Sequence, residues 1–250
     1  MERSAEAPLS AAECQRYARQ MLLGGWGEAT QRRLKASTVF IAGAGGLGSP
    51  VSFALALAGI GTIRICDFDS PELSNLNRQF LHDDSRLGMN KAESARQTLS
   101  RLNPHVRIEA ITERIEDANA DRLVGDAALI MDCMDNFPTR FALNRAAIAK
   151  RISLVHGSIW GLEGRVSFFH APETSCLACI FKEAPPREVF PVLGATPGIT
   201  GTIQAMEAIK YLAGIGTPLK GRLLCCDYLD MRFFEVRIRR DPDCPVCRSL

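Results

Sequence analysis

The sequence lacks a surplus of charge of either sign. Thirty Lys and Arg residues face 28 Asp and Glu residues, which leaves a formal net charge of +2 over 250 residues. Proteins that bind nucleic acid or anionic membranes irrespective of sequence need a large basic surplus. We therefore expect neither nucleic acid nor a membrane among the partners of this protein, although a local group of basic residues is still able to bind phosphate.

A long hydrophobic run is also missing. The most apolar segment, residues 51–63, contains two glycines and is shorter than the roughly 20 residues of a membrane-spanning helix. Residues 1–20 are charged and lack the apolar stretch of a secretory signal. Nine cysteines, an odd number, indicate a reducing compartment rather than a disulfide framework. We expect a soluble, cytoplasmic protein.

Alternating strand and helix patterns dominate the first part of the chain. Two helical stretches, about 10–23 and 27–37, come first. Strands are then predicted over 38–42, 62–67, 106–111 and 127–132, and helices over 46–58, 91–102 and 138–150, with a short helix after residue 117. Continuous apolar runs such as AALIM are typical of strands covered on both faces. The alternation predicts a doubly wound parallel sheet.

The pattern changes after about residue 153. The segments SLVHGSIW, GRVSFFH, RLLCCDYLD and RFFEVRIRR predict strands of a mixed or antiparallel section, with one helix over 201–213. Residues 182–200, rich in proline and glycine, predict a long loop, which is uncommon in a compact domain unless it is functional.

The fold class predicted from these patterns is α/β. A Rossmann-like, mostly parallel sheet is continued by a mixed or antiparallel C-terminal section and preceded by an N-terminal helical segment. We expect one domain over residues 1–250, with N-terminal helices over about 1–35, a nucleotide-binding half over 36–152 and a second half over 153–250.

A glycine-rich turn follows the first predicted strand. The segment FIAGAGGLGS places Gly43, Gly45 and Gly48 in a G-x-G-x-x-G pattern between a strand and a helix. Glycines permit the tight turn and the close approach of a ligand, and the helix N-terminus favours negative charge. Asp67 ends the next strand, where a carboxylate accepts hydrogen bonds from ribose hydroxyls. Nucleotide binding is predicted; close packing of helix on sheet is the alternative.

An NAD-dependent oxidoreductase is a rival interpretation of that turn. The four histidines stand in no recognisable arrangement for hydride transfer. Arg78 and Lys91 flank the segment QFLHDDSRLGMN, and Lys91 opens a helix, where a cation is unfavourable unless an anion lies nearby. Two cations with neighbouring amide side chains suit a triphosphate better than a diphosphate bridge. The alternative is that both are solvated surface charges.

Several motifs in order carry a family resemblance. They are RYARQ, GAGGLGS, DFD, LSNLNRQF, GMNKAESA, DCMDN, GSIWGLEGRVSFF and QAMEAIKYLAG, together with the pairs CLAC and CPVC. From about residue 17 to residue 247 the chain closely resembles the ThiF/MoeB/HesA family, bacterial relatives of ubiquitin-activating enzymes.

The resemblance implies an adenylyltransferase that uses ATP and Mg²⁺. Its substrate would be a small ubiquitin-like sulfur-carrier protein, bound by the second half of the chain. The C-terminal Gly-Gly carboxylate of that carrier would attack the α-phosphate to give an acyl adenylate and pyrophosphate. Sulfur would then enter a cofactor of the molybdopterin or thiamin type, or a related metabolite. A homodimer is expected by family precedent.

The resemblance also assigns roles to single residues. Gly43, Gly45, Gly46 and Gly48 contact the nucleotide, Asp67 the ribose, Asn75, Arg78 and Lys91 the phosphates, and Asp135 the Mg²⁺, while Arg19 reaches the ATP of the other subunit. Without the resemblance, the role of Asp135 is ambiguous, because either Asp132 or Asp135 is placed to cap the following helix instead of binding a metal ion.

The paired cysteines predict a structural zinc site. Cys176 and Cys179, with Cys244 and Cys247, supply four thiolates in two C-x-x-C pairs. Redox chemistry at CPVC is the alternative, and the other five cysteines are expected to be packing residues. The loop over 182–200 contains no cysteine, unlike many family members that link covalently to the carrier. We therefore expect the reaction to stop at the acyl adenylate and a separate donor protein to supply sulfur.

Two further functions are compatible with parts of the sequence. Relatives in the same superfamily adenylate and cyclise a carboxylate on a modified tRNA base, but the near-neutral charge and the two C-x-x-C pairs weigh against that reaction. A non-catalytic scaffold is the other, and the complete set of charged motif positions argues against it.

Overall fold

The computed structural model describes residues 8–184 and 191–250. One eight-stranded sheet with the order β3-β2-β1-β4-β5-β6-β7-β8 organises these residues. Its strands are β1 (Thr38–Ala42), β2 (Thr62–Cys66), β3 (Arg107–Ile111), β4 (Leu129–Asp132), β5 (Ser153–Trp160), β6 (Glu163–Phe169), β7 (Arg222–Asp227) and β8 (Arg232–Arg237). Strands β1 to β5 pair in parallel, whereas β6, β7 and β8 extend the sheet in antiparallel pairs. The predicted fold class is confirmed.

Along the described residues, helices precede the first strand and connect several of the later ones. They are α1 (Ala11–Arg16), α2 (Ala18–Met21), α3 (Gly27–Lys35), α4 (Gly48–Ala58), α5 (Lys91–Leu102), α6 (Ala120–Val124), α7 (Phe137–Lys150), α8 (Leu177–Ile180) and α9 (Ala195–Ala213). The single helix predicted over about 10–23 is divided at Tyr17. None of the helices formed by the described residues is both long and apolar enough to cross a membrane.

The predicted loop over 182–200 is shorter than expected, because α9 begins at Ala195 rather than at residue 201. Pro197 lies in its first turn, where the missing backbone N–H costs no helical hydrogen bond. Gly201 lies against α4, since a Cβ there would come within 2.5 Å of Pro50. Packing on α4 thus favours a helix where proline and glycine predicted a loop. Residues 185–190 of that loop lie outside the described residues.

Strand β1 lies in the middle of the five parallel strands, and the order of the strands reverses beside it. Ala42, its last residue, is paired with Cys66 at the end of β2 and with Asp132 at the end of β4. The three strands therefore end in one row. In open α/β sheets the crevice beyond the strand ends at such a reversal is where ligands bind.

The core covers both faces of the parallel strands. Ile41 of β1 packs with α4, α5 and α9 on one face, and Phe40 packs with α6 and α7 on the other; neither side chain is exposed. This two-sided burial explains the continuous apolar runs of the sequence. Strand β8, at the antiparallel edge, is exposed along its whole length.

Candidate active site

The glycine turn is held closed by contacts that exclude side chains. Gly43 has a φ of +96°, and a Cβ there would lie 2.9 Å from the carbonyl oxygen of Cys133. A Cβ on Gly48 would lie 2.0 Å from the carbonyl oxygen of Gly43. Helix α4, which follows, has no side-chain cap at its N-terminus. The N–H of Ser49 donates to the Gly45 carbonyl at 2.9 Å and Pro50 has no N–H. The positive end of the helix dipole therefore faces the crevice, as an anion site requires.

Asp67 joins the end of β2 to this turn. Its Oδ2 accepts a hydrogen bond from the backbone N–H of Ala44 at 2.8 Å, and its Oδ1 accepts one from Asp69 at 2.9 Å. Burial raises the pKa of Asp67, while the Ala44 N–H and the charge of Lys91 oppose that rise. Each carboxylate oxygen keeps a lone pair for a ribose hydroxyl. Asp67 thus positions the turn, and its predicted ribose contact remains compatible with this geometry.

Lys91 is the buried cation of the site. It begins α5 with only 8% of its surface exposed. Its Nζ lies 3.9 Å from Asp69 Oδ2, and the nearby Asp67 carboxylate is affected by its charge. Asn90 caps the helix and also donates from its side chain to the Asp67 carbonyl at 2.9 Å. The alternative of a solvated surface charge is therefore wrong for Lys91. Its buried ammonium lies near Asp67 and Asp69, but its ion pair with Asp69 is long, which leaves it able to bind a further anion.

Arg78 lies over the other side of the turn. Its Cγ would be 3.6 Å from a Cβ on Gly46, and its guanidinium donates to Ser74 and Asn77 at 2.9 Å each. The neighbouring Asn75 caps a short turn, accepting a hydrogen bond from Glu72 at 3.2 Å. Arg78 is therefore placed beside the N-terminus of α4, while the predicted phosphate contact of Asn75 stays a prediction.

The DCMDN loop after β4 contacts the glycine turn through Cys133 and also through the Met134 sulfur, 3.3 Å from a Cβ on Gly43. Asn136 caps α7 by accepting from Thr139 at 3.0 Å, so neither aspartate of this loop has the capping role considered from the sequence. Asp132 is fully buried, whereas Asp135 is exposed. Asp135 is therefore the carboxylate of the loop that is available to an incoming cation.

Arg19 is not brought to this site within one chain. It is exposed on α2. The adjacent Gln20 donates to the carbonyl of Ala58 at 2.9 Å, at the C-terminal end of α4. The glycine turn lies at the opposite end of that helix, about 15 Å away at 1.5 Å per residue. The predicted contact of Arg19 with the nucleotide of another subunit stays a prediction.

Two residues that the sequence reasoning missed support the turn. Gln79 is buried, with Nε2 3.5 Å from the position of a Cβ on Gly45, and its Oε1 lacks a hydrogen-bond partner among the described residues. The His82 ring bridges the Ala44 carbonyl at 2.9 Å and the Ser94 hydroxyl at 2.8 Å. Burial lowers the pKa of His82, so its ring is neutral at pH 7. Gln79 lies in the LSNLNRQF motif and His82 lies two residues after it. Their position in or beside this motif is the feature of the sequence that could have indicated a role at the turn.

The four cysteines predicted as zinc ligands meet in one cluster. The Sγ atoms of Cys176, Cys179, Cys244 and Cys247 all lie within 4.8 Å of one another. The contacting pairs are separated by 3.5 to 3.8 Å. Zn–S bonds of about 2.3 Å in a tetrahedron place sulfur atoms roughly 3.8 Å apart, so this donor set fits zinc. Its four thiols leave no position open for catalysis.

Comparison with known proteins identifies the family. Residues 17–246 match the ThiF family. The chain belongs to the ThiF family. The sulfur carrier protein adenylyltransferase of Thermus thermophilus is 41% identical over 246 residues, with 94% of this chain and 91% of the relative covered. The molybdopterin-synthase adenylyltransferase of Escherichia coli is 40% identical, with 96% and 99% covered.

A solved structure agrees with the fold. Escherichia coli MccB with ATP superimposes with a TM-score of 0.84 at 23% identity, covering 93% of this chain and 74% of MccB. At that identity the likeness establishes the fold alone. The predicted family and enzyme class, an adenylyltransferase, are confirmed by the two closer relatives, and ATP use follows from the family. The roles of single residues stay predictions.

Gly48→Ala tests whether the closed turn forms the nucleotide site. We expect at least about tenfold weaker ATP binding, because the added Cβ would collide with the Gly43 carbonyl and open the turn. Isothermal titration calorimetry measures the affinity. Gly198→Ala is the matched control, since a Cβ there meets nothing within 4 Å. Wild-type ATP affinity in a folded Gly48→Ala protein would contradict this assignment.

Proposed function

We propose that this protein adenylates the C-terminal Gly-Gly carboxylate of a small ubiquitin-like sulfur-carrier protein. The carrier then serves the synthesis of a sulfur-containing cofactor, of the molybdopterin or thiamin type, or of a related metabolite. The observation that carries the proposal is the buried ammonium of Lys91 beside the glycine turn, in a chain 41% identical to a sulfur carrier protein adenylyltransferase. We place the reaction in the cytoplasm.

The chemistry requires two anions to meet. An oxygen of the carrier carboxylate forms a bond to the α-phosphorus of ATP while the bond from that phosphorus to the bridging oxygen breaks. Pyrophosphate leaves with the electron pair. Arg78, Lys91 and the N-terminus of α4 supply positive charge around the phosphates, and Asp67 orients the ribose. Such positioning and charge neutralisation suffice for catalysis without a protein nucleophile.

Asp135 is the proposed ligand of Mg²⁺. Carboxylate oxygens suit this hard cation, which usually keeps several waters and binds through one or two carboxylates plus phosphates. The exposed position of Asp135, in a loop that touches the glycine turn, supports this assignment. Mg²⁺ would supply charge neutralisation on the phosphates.

The loop over 182–194 contains no cysteine, which supports a reaction that ends at the acyl adenylate. A separate donor protein then supplies sulfur. The remaining cysteines include Cys66 and Cys133, both buried, and burial raises the pKa of both thiols. Neither is suited to form a thioester, because the thiolate is the nucleophile.

Arg78→Ala and Lys91→Ala test the phosphate assignment. We expect each to lower carrier-dependent exchange of labelled pyrophosphate into ATP by about a hundredfold or more, since each removes a charge from the developing transition state. Arg96→Ala is the control, because Arg96 lies exposed on α5 and pairs with Glu93. If Arg78→Ala and Lys91→Ala exchange at the wild-type rate, the phosphate site is elsewhere.

A homodimer is part of the proposal, because Arg19 lies far from the glycine turn of its own chain. Leu22 and Leu23, which follow α2, are 80% and 55% exposed. Exposed apolar side chains of this kind are typical of an interface between copies. We propose that a second copy covers them and that the Arg19 of one copy reaches the nucleotide of the other.

Mixing two inactive variants tests whether Arg19 acts across the dimer. Arg19→Ala and Lys91→Ala damage different halves of a shared site, so each mixed dimer regains one intact site. When equal amounts of the two variants exchange subunits at random, about half of the dimers are mixed, and each mixed dimer has one intact site of two. The mixture should therefore recover roughly a quarter of the wild-type sites. Pyrophosphate exchange measures the recovery. No recovery, with mixed dimers confirmed by mass spectrometry of differently tagged chains, would show that Arg19 acts within its own chain or not at all.

Zn²⁺ is the proposed occupant of the cysteine cluster, with a structural role. Cys244→Ser should release the zinc, measured by plasma mass spectrometry, and lower the melting temperature by roughly 5 °C or more. The reason is that zinc would connect the segment after β6 with the C-terminal residues. Cys225→Ser, a half-buried cysteine outside the cluster, is the control. Full zinc content in Cys244→Ser would refute the assignment.

A further inference from the structure

His156 is a buried polar residue that has no role in the proposed adenylation mechanism. It lies on β5 with no exposed surface, and its Nδ1 is 2.6 Å from Asp132 Oδ2. Its Nε2 has no hydrogen-bond partner among the described residues. Burial lowers the pKa of His156, so the ring is neutral and Nδ1–H is the donor to Asp132. A buried ring with one nitrogen unpaired costs stability, which calls for a functional reason.

Asp132 connects this ring to the loop that carries Asp135. Its Oδ1 accepts a hydrogen bond from the backbone N–H of Met134 at 3.2 Å. One carboxylate therefore binds His156 with one oxygen and the DCMDN loop with the other. Rotation of this carboxylate would release the Met134 N–H, one residue before Asp135.

The same loop is secured from two further elements. Arg140 of α7 donates to the carbonyl of Met134, and to that of Gly157 on β5 at 3.1 Å. Gln204 of α9 donates to the carbonyls of Asp132 at 2.8 Å and Val155 at 2.9 Å. Helices α7 and α9 and strand β5 thus fix the backbone over residues 132–134, whereas Asp135 itself is exposed.

The position of this loop also affects the glycine turn. A Cβ on Gly43 would lie only 2.9 Å from the carbonyl oxygen of Cys133, so the two loops are in contact. A small shift of residues 133 and 134 would move either Asp135 or the turn. Metal-binding carboxylates depend on such supporting hydrogen bonds for their orientation.

We propose that Asp132 and His156 are positioning residues for adenylation. The imidazole holds the Asp132 carboxylate in the orientation that fixes the DCMDN loop, and this places Asp135 to bind the cation of the nucleotide. The inference rests on the proposed function, because it assumes that Asp135 binds Mg²⁺. Neither residue contacts the reacting atoms, and both act through the loop.

Two amide variants separate this role from mere packing. His156→Asn puts an N–H at the place of Nδ1, whereas His156→Gln puts it near the place of Nε2, away from Asp132. The variants bury similar polar groups but differ in the one hydrogen bond that matters. The measurements are the Mg²⁺ concentration that gives half-maximal pyrophosphate exchange, the maximal rate, and the affinity for ATP without Mg²⁺.

We expect His156→Gln to raise the half-maximal Mg²⁺ concentration about tenfold or more, as loss of a supporting partner does elsewhere. His156→Asn should stay within about threefold of wild type. The affinity for Mg²⁺-free ATP should change less than the half-maximal Mg²⁺ concentration in either variant, because Asp67 and Lys91 remain in place. Asp132→Asn, which cannot accept from both Met134 and His156, should behave like His156→Gln and provides a second test if that variant fails to fold.

Asp135→Asn separates the inference from the proposed function. If Asp135→Asn leaves the Mg²⁺ dependence unchanged, the assignment of the cation ligand fails, and the inference fails with it. If Asp135→Asn is impaired but folded His156→Gln and Asp132→Asn keep wild-type Mg²⁺ dependence, only the positioning role is wrong. Equal impairment of His156→Asn and His156→Gln would likewise overturn it, because the whole ring rather than the Nδ1 donor would then matter.

Discussion

The close approach of backbone to backbone at the carboxyl end of β1 is the constraint on which the site depends. Gly48 comes so near the Gly43 carbonyl, and Gly43 so near Cys133, that no side chain fits at either position. This contact presents the uncapped N-terminus of α4 to the crevice and brings the loop after β4 against the turn. Since β1, β2 and β4 end in one row, Asp67 and the DCMDN loop then meet around the same space.

Charge is distributed unevenly around this space. Lys91 is buried close to Asp67 and Asp69, and Arg78 lies on the other side of the turn. A triphosphate is highly charged, and water excluded from such a crevice would strengthen each of these interactions. The arrangement suits a reaction in which the protein contributes position and charge rather than a covalent bond.

The second half of the chain supports the first through a few long-range contacts. Gln204 of α9 binds the ends of β4 and β5, and Phe181, close after Cys179, packs 6.0 Å from the ring of His156. The short helix α8 thus connects the cysteine cluster to Phe181, which packs on His156 beside the DCMDN loop. A metal there would stabilise the start of the segment that crosses between β6 and α9.

The sequence by itself determined the strand and helix order, the glycine turn, and which residues follow each strand. These features depend on local periodicity and on backbone conformations that only glycine tolerates. It also placed the ThiF motifs, and so the family. Tertiary structure alone decided that Lys91 is buried and that Asp132 binds His156 rather than capping a helix. It likewise decided that α9 begins at Ala195, against the local propensity of proline and glycine, and that Arg19 lies far from its own glycine turn. Burial and pairing arise from packing between segments distant along the chain, and no local pattern records which segments will meet.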